Sequence, residues 1–469
     1  MMINESLLLL RYEGIIVFMI FVLFVLNLTD FDKKPSRFLN VVNAMLFINF
    51  IAGFLPMPEG SAFQGFFRSS GIIALEKNVL NLGILLISLS GYNWVAKSRK
   101  AVEYYILLLS SLLGLFVMLS SGHILVLYLG LELSSLPMAA LAALNTNSQK
   151  SSEAGVKYIL SSAFSTGVTL FGISLLYGAV GDLSFQSISQ HLQPNALSLM
   201  ACIFMLSGFA FKVSVVPFHF WTADVYEGAP TSVSNFYAVI SKGAGIFVLM
   251  TVLYSLFKNI TEIWLYTISI LAALSMTIGN LFALRQNNFK RFLAFSSIAQ
   301  VGFVLVGITS ASKVGIDSVI YFVIIYLLSN VVLFSVIEAI SDKTGKEKIS
   351  DLKGLYKTNP LFSIVMTIAL FSLAGVPPTA GFFGKFFLLT SGMGAGSYIL
   401  IGITAINLVL SLYNYLRIVK AFFIDKEEAE MPLVKGNWQT SLVLLACGCG
   451  ILVLTFAGGL YHFIDTLNF

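Results

Sequence analysis

Apolar runs recur along almost the whole chain, separated by short polar stretches. A bilayer core is crossed by about 20 consecutive apolar residues in a helix. By that measure the runs 12–29, 38–55, 71–92, 103–120, 122–144, 155–180, 197–225, 231–257, 262–284, 290–310, 315–340, 360–392, 396–424 and 438–464 predict fourteen transmembrane helices. Only Ser120, Ser121, Gly122 and His123 part the fourth from the fifth. Spans seven and twelve are overlong and interrupted, the seventh by Pro217 and the twelfth by Gly375, Pro377 and Pro378. Proline removes a backbone donor and clashes with the preceding turn, so both helices are expected to be discontinuous. Irregular backbone at membrane depth is tolerated only inside protein or beside a wet cavity. The segment 183–192 carries an apolar stripe and is expected to lie flat on the membrane.

Interrupted helices in corresponding places mark inverted-repeat transporters. The interval here is five spans, an odd number, so equivalent helices run in opposite directions. The expected fold is an all-α membrane protein of about fourteen transmembrane helices, with two inverted five-helix repeats and discontinuous helices 7 and 12. The divisions are 1–100 for helices 1–3, 101–258 for the first repeat (helices 4–8), 259–424 for the second (helices 9–13) and 425–469 for helix 14.

Composition agrees. The 469 residues are 57% hydrophobic and 11% charged, against about 25% charged in soluble domains. Of 28 lysines and arginines, 20 fall in loops after odd-numbered spans, among them Lys33, Lys426 and Lys435; 5 fall on the other side, counting Lys77 there. The positive-inside rule then puts the odd loops in the cytoplasm and both termini opposite. The net charge of +5 reflects this topology and gives no reason to expect nucleic acid. The first fourteen residues lack a basic leader and a cleavage site, so the first span reads as a retained helix. Cys202, Cys447 and Cys449 form no CxxC pair, and no dinucleotide or phosphate-binding glycine motif is present. No metal site, cluster or nucleotide site is expected in this chain.

Four charges sit inside apolar spans: Glu132, Lys212, Lys242 and Lys385. Each costs about 2.5–3.5 kcal/mol at the centre of a membrane helix, which makes a path for ions or protons the leading reading. Glu132 is placed to bias a neighbouring lysine, and Lys212 is the best candidate partner. His219 follows Lys212 by seven residues, on roughly the same helical face, and either passes protons or satisfies backbone freed by Pro217. Lys242 is flanked by Ser241, Gly243, Ala244 and Gly245, which leave room for close helix approach or water. Lys385 follows the Pro377-Pro378 break by about two turns. Glu103 and Glu153 stand at span edges, where interfacial charges are ordinary. Asp224 and Glu227 gather protons or cap a helix. Glu76 and Lys77 pair within span three or sit near an interface. His123, His191 and His462 fall near span ends.

Together these segments resemble the antiporter-like membrane subunits of proton-translocating NADH:quinone oxidoreductase (respiratory complex I). The likeness is strongest at 208–236, 290–303 and 371–386 and runs from about residue 100 to 420. The stretch Asp224–Thr231 and a lysine, not glutamate, in span twelve resemble the N-subunit branch more than its relatives, which include Mrp-type sodium/proton antiporters. The resemblance implies fourteen spans and the inverted repeat. It implies that Glu132 pairs with Lys212, that Lys242 is the central relay and that Lys385 serves the exit half; Glu103 and Glu153 match family glutamates by spacing. It also implies a bacterial inner membrane, with neighbouring antiporter-like and small K-type subunits as partners. NADH, FMN, iron–sulfur clusters and quinone would be held elsewhere in the complex. A sodium/proton antiporter subunit is the alternative it leaves. The family's common histidine is Gln300 here, so a relay there needs water, and its proline before the aspartate is Ala223.

Overall fold

A computed structural model describes residues 8–29, 34–394, 396–425, 432–434, 436–456 and 458–467. Lys33, Lys426 and Lys435 of the basic loops, and residues 1–7, lie outside these. The helices are labelled to follow the spans: α1 Arg11–Leu28, α2 Pro35–Ala52, α3 Gly71–Ser90, α4 Ala101–Leu119, α5 Ile124–Ala142, α6 Gln149–Val180, α7a Ala196–Val213, α7b Phe220–Gly228, α8 Thr231–Leu256, α9 Thr261–Leu284, α10 Phe289–Ile308, α11 Lys313–Thr344, α12a Pro360–Ala374, α12b Ala380–Gly394, α13 Tyr398–Phe423 and α14 Trp438–Phe456. Among the described residues twelve helices are long and apolar enough to cross a membrane. The shorter α12a and α12b and the less apolar α2 are outside that group. A hairpin of β1 Gly60–Ala62 and β2 Phe67–Ser69 follows α2 and was not legible in the hydropathy.

Polar side chains start several helices. Ser70, Ser148, Asn195, Asn288 and Ser312 each accept a hydrogen bond from the first turn of the helix they precede. This satisfies donors that lipid could not. Helices α8, α10 and α11 are buried almost all round and form the centre, while α6, α9, α13 and α14 bury only one side. Small residues set the closest crossings. Gly114 and Gly130 bring α4 against α5, where a Cβ on either would fall 2.4–2.7 Å from the other helix's backbone nitrogen; Gly279 and Gly302 do the same for α9 and α10 at 2.6 and 2.7 Å.

Both breaks have one backbone design. Helix α7a ends on Ser214 in a left-handed conformation (φ 64°), and α12a ends on Gly375 (φ 82°). The next residue closes each helix by donating to the carbonyl five back: Val215 to Ala210 at 2.8 Å, and Val376 to Phe371 at 3.0 Å. Pro217 and Pro378 follow in cis linkages, three residues after the left-handed one.

Two expectations are corrected. The apolar stripe of 183–192 faces protein and not lipid: Phe185, Ile188 and Leu192 are buried, and Asn259 ties the segment down through the carbonyls of Ser189 and Leu192. Lys77 does not pair with Glu76. It is fully buried and crosses to Glu13 on α1 at 2.5 Å, with Ser120 also at 2.5 Å. Neighbours in a helix point about 100° apart, so Glu76 cannot face the same partner.

Candidate functional site: a row of buried lysines

The three lysines are buried, and among the described residues none has a carboxylate oxygen within 4 Å of it. Lys212 lies in the last turn of α7a and donates to the Ser134 and Ser135 hydroxyls of α5 at 2.6 and 3.0 Å, with the Met138 sulfur at 3.8 Å. Its stem rests on α8, where Gly245 leaves the room: a Cβ there would meet Lys212 Cγ at 3.4 Å. Three residues earlier on the same helix is Lys242, wholly buried. Its ammonium donates to Ser297 on α10 at 2.5 Å and sits 5.3 Å from the Tyr226 ring centre. Tyr158, Phe211, Trp221, Tyr226 and Tyr237 form one aromatic cluster, with Tyr158 edge to face against Trp221 and Tyr237 and the other pairs tilted.

Helix α10 carries the row onward. From Ser297, one turn brings Gln300, whose Nε2 donates to the Leu373 carbonyl at 2.9 Å and to the Tyr415 hydroxyl at 2.8 Å. Tyr415 in turn meets Ser296 at 2.5 Å. Gln300 Oε1 is buried and has no partner. One turn further, the Phe303 ring lies 4.3 Å from the Lys385 ammonium, a cation–π contact. Lys385 also reaches the Ala374 carbonyl at 3.4 Å, back across the break from α12b to the end of α12a.

The predicted carboxylate partner is displaced. Glu132 is half-buried, on the α5 face that exposes Leu129, Leu133 and Leu136, beside Tyr128 one turn back. It acts on Lys212 electrostatically but forms no ion pair with it. Ser134, two residues on and about 200° further round the helix, takes the inward position with Ser135 beside it, and both meet Lys212. His219 does not share a face with Lys212 either. The helix stops at Val213 and His219 begins α7b; it is buried, with Nδ1 unpartnered.

The peripheral acids are placed as follows. Glu103 is exposed in the first turn of α4. Glu153 is exposed and pairs with Lys157 at 2.6 Å. Asp224 and Glu227 on α7b form a clamp: Lys157 to Asp224 at 2.5 Å, Arg291 to Asp224 at 2.7 Å and Glu227 at 3.0 Å, and Lys150 to Glu227 at 2.9 Å. Burial alone would raise the Glu227 carboxyl, but hydrogen bonds from Lys150 and Arg291 prevail and hold it below the ordinary carboxylate range. His123 caps α5 and stacks on Phe66; His191 and His462 are exposed.

Sequence reasoning missed the hydroxyls of Ser134, Ser135 and Ser297 and a π-helical turn at Tyr237–Ser241 that leads directly into Lys242. Such turns leave an i→i−4 bond unmade and collect at functional sites. The flanking small residues were the one available signal.

Residues 121–411 match the family described as NADH:quinone oxidoreductase/Mrp antiporter, TM. The chain is 44% identical over 429 residues to the NADH-quinone oxidoreductase subunit N of Phocaeicola vulgatus, covering 90% of each, and 42% identical to that of Azobacteroides pseudotrichonymphae, covering 87% and 86%. Among solved structures it resembles a chain of respiratory complex I from Thermus thermophilus with bound aureothin, at 28% identity and a TM-score of 0.82 over 96% of this chain and 97% of that one. It shares its fold with a chain of the Mrp complex from Dietzia sp. DQ12-45-1b, at 20% identity and a TM-score of 0.87 over 98% and 96%. With well over half its length under one family profile and relatives matched over nearly all of it, the chain belongs to the NADH:quinone oxidoreductase/Mrp antiporter family of membrane proteins, on the branch of the oxidoreductase N subunits.

Proposed function

We propose that this chain is a proton-translocating membrane subunit of an NADH:quinone oxidoreductase in a bacterial inner membrane, both termini on the periplasmic side. The observation that carries the reading is the row itself: three buried ammonium groups held by hydroxyls, ring faces and a carbonyl, with no carboxylate in contact among the described residues. A buried charge left without an ion-pair partner is driven toward neutrality, which is the condition for taking up and releasing a proton. Lys212, Lys242 and Lys385 carry protons in turn. Glu132 biases Lys212 through space, and Gln300 orders water between Lys242 and Lys385 through its free oxygen. His219, Glu103 and Glu153 are supporting groups at the first break and at the edges.

The two breaks, alike in backbone, support reading 101–258 and 259–424 as inverted repeats flanked by 1–100 and 425–469. The exposed apolar face of α5 that carries Glu132 suits a neighbouring antiporter-like or small K-type subunit. NADH, FMN, iron–sulfur clusters and quinone belong to other subunits, so electron transfer there drives charge movement here. Moving one charge against 100 mV takes about 2.3 kcal/mol, equivalent to a pKa change of under about two units.

The test is Lys242→Ala in the intact complex, with NADH-driven proton uptake followed in inverted membrane vesicles. Uptake near background is expected. Wild-type uptake in an assembled complex would falsify the relay. Sodium-dependent exchange without NADH-driven uptake would move the chain to the antiporter alternative.

A further inference from the structure

A polar cavity of about 290 Å³ opens between the basic-loop ends of α6, α8, α10 and α11, lined among others by Lys150, Glu227, Lys290, Glu338 and Asp342. Its inner wall holds a carboxylate that the lysine row does not use. Glu338 on α11 is 5% exposed; Oε1 accepts a hydrogen bond from Ser232 near the start of α8, and Oε2 is buried with no partner. The nearby cations are engaged elsewhere: Lys290 with Glu347 at 3.2 Å and the Ala229 carbonyl at 3.2 Å, Lys97 with Asp342 at 2.5 Å. Glu338 therefore has no ion-pair partner within 4 Å among the described residues.

From that carboxylate a series of orphaned polar atoms leads inward. Helices α8 and α11 run antiparallel: Gly83 packs on both Ile240 and Leu327, and Gly243 packs on Val323, which leaves Glu338 level with Ser232. One turn along α8 from Ser232 is Asn235, fully buried, with neither amide atom partnered. The π-helical turn Tyr237–Ser241 follows, and then Lys242. The hydroxyls of Tyr226, whose ring faces Lys242, and of Tyr326 are also buried without partners. Buried polar groups that protein does not satisfy are satisfied by ordered water. If Glu338 served only to anchor Ser232, one oxygen would suffice, and neither Oε2 nor Asn235 would be accounted for. The ten residues from Ser232 to Lys242 span about 15 Å of helix, a distance a short water file bridges.

We propose that Glu338 is a proton-loading group for Lys242, a second feed into the row that turnover needs together with the one through Lys212; this rests on the proton-translocating reading above. A proton from cavity water adds to Oε2. It passes along water ordered by Asn235 to the neutral amine of Lys242, and Glu338 returns to the carboxylate and is recharged from the cavity. No bond other than O–H and N–H changes, and no co-reactant is needed.

The test compares four variants of the intact complex by NADH-driven proton uptake in vesicles. Glu338→Gln is expected to lower uptake about 100-fold, the lower end of what a positioned proton-transfer group contributes, and Glu338→Asp to recover most of it. Wild-type uptake in Glu338→Gln alongside background uptake in Lys242→Ala overturns this inference and leaves the relay standing; wild-type uptake in both overturns both. A loss that aspartate does not recover makes Glu338 structural and also overturns it. Where Glu338→Gln does not assemble, Asn235→Leu closes the same path without touching the carboxylate. A loss of uptake in it supports the proposal and a wild-type rate overturns it.

Discussion

The two broken helices share a backbone and differ in where they put their charge. Superposed on the break, Ser214 matches Gly375 and Pro217 matches Pro378. In that register Leu373 stands where Lys212 is, and Asp224 stands where Lys385 is. Lys212 belongs to the half-helix before its break, Lys385 to the half-helix after. Yet each lysine stands at a helix C-terminus opened by its break. Lys212 lies in the last turn of α7a, and Lys385 reaches back to Ala374, the last residue of α12a. The C-terminal end of a helix carries about half a negative charge, worth 0.3–2 kcal/mol to a nearby cation. What repeats between the two regions is a helix terminus opened inside the protein. The lysine that uses it is free to come from either side.

The largest effects test that equivalence. Lys212→Ala and Lys385→Ala are each expected to lower NADH-driven uptake about 100-fold. If one alone does so, the two sites are not equivalent and the row is not read from end to end. Glu132→Gln is expected to do less. Without contact, and at an effective dielectric of about 20 or more, a carboxylate is worth on the order of 1–2 kcal/mol to Lys212, so a loss of about tenfold is expected. A loss as large as that of Lys212→Ala would mean that Glu132 swings into direct contact during turnover.

Backbone substitutions should move the two breaks in opposite directions. At Gly375 a side chain meets a left-handed backbone and a Cβ 3.0 Å from Lys385 Cδ. Gly375→Ala is expected to destabilise by about 1–2 kcal/mol. Ser214 already bears that strain, and its buried hydroxyl has no partner. Ser214→Gly is expected to be neutral or stabilising by up to about 1 kcal/mol. Thermal unfolding of the purified complex, read as the shift in midpoint, checks both; equal signs would deny that the two turns are one device.

The contrast also explains what was legible. The spans follow from twenty-residue apolar runs, because lipid demands them, and the breaks follow from Pro217, Pro377 and Pro378. Depth in the membrane could be read for Glu132, Lys212, Lys242 and Lys385. Rotation about the helix axis could not: hydropathy does not distinguish an inward Ser134 from an outward Glu132 when the whole span is apolar. Nor can it find Glu13 opposite Lys77, 64 residues away. Ser214 gave no sign of a left-handed turn, since serine seldom adopts one. The π-helical turn before Lys242 has the composition of any buried helix. Partners such as Ser297 and Phe303 are common residues in a common setting, and only packing singles them out.

A last difference is what holds the second half of each broken helix. Helix α7b is clamped by Asp224 and Glu227 to Lys157, Arg291 and Lys150, whereas α12b contains no acidic residue. Glu227 is held below its ordinary value of 4.5, so it contributes stability above that value and loses it as pH falls through the lower, folded-state one. Acid below 4.5 should therefore loosen α7b and leave α12b unchanged. These pairs are partly exposed, each worth about 0.2–1 kcal/mol, so a change of a fewfold is expected. Hydrogen exchange, corrected for intrinsic rates, should show 220–228 losing protection on acidification while 380–394 keeps it. Arg291→Ala should reproduce the loss at neutral pH, because one guanidinium bridges both acids. Equal loosening of the two half-helices in acid would mean that their hold on the protein is apolar packing in both, and that the clamp is a surface feature without consequence for the break.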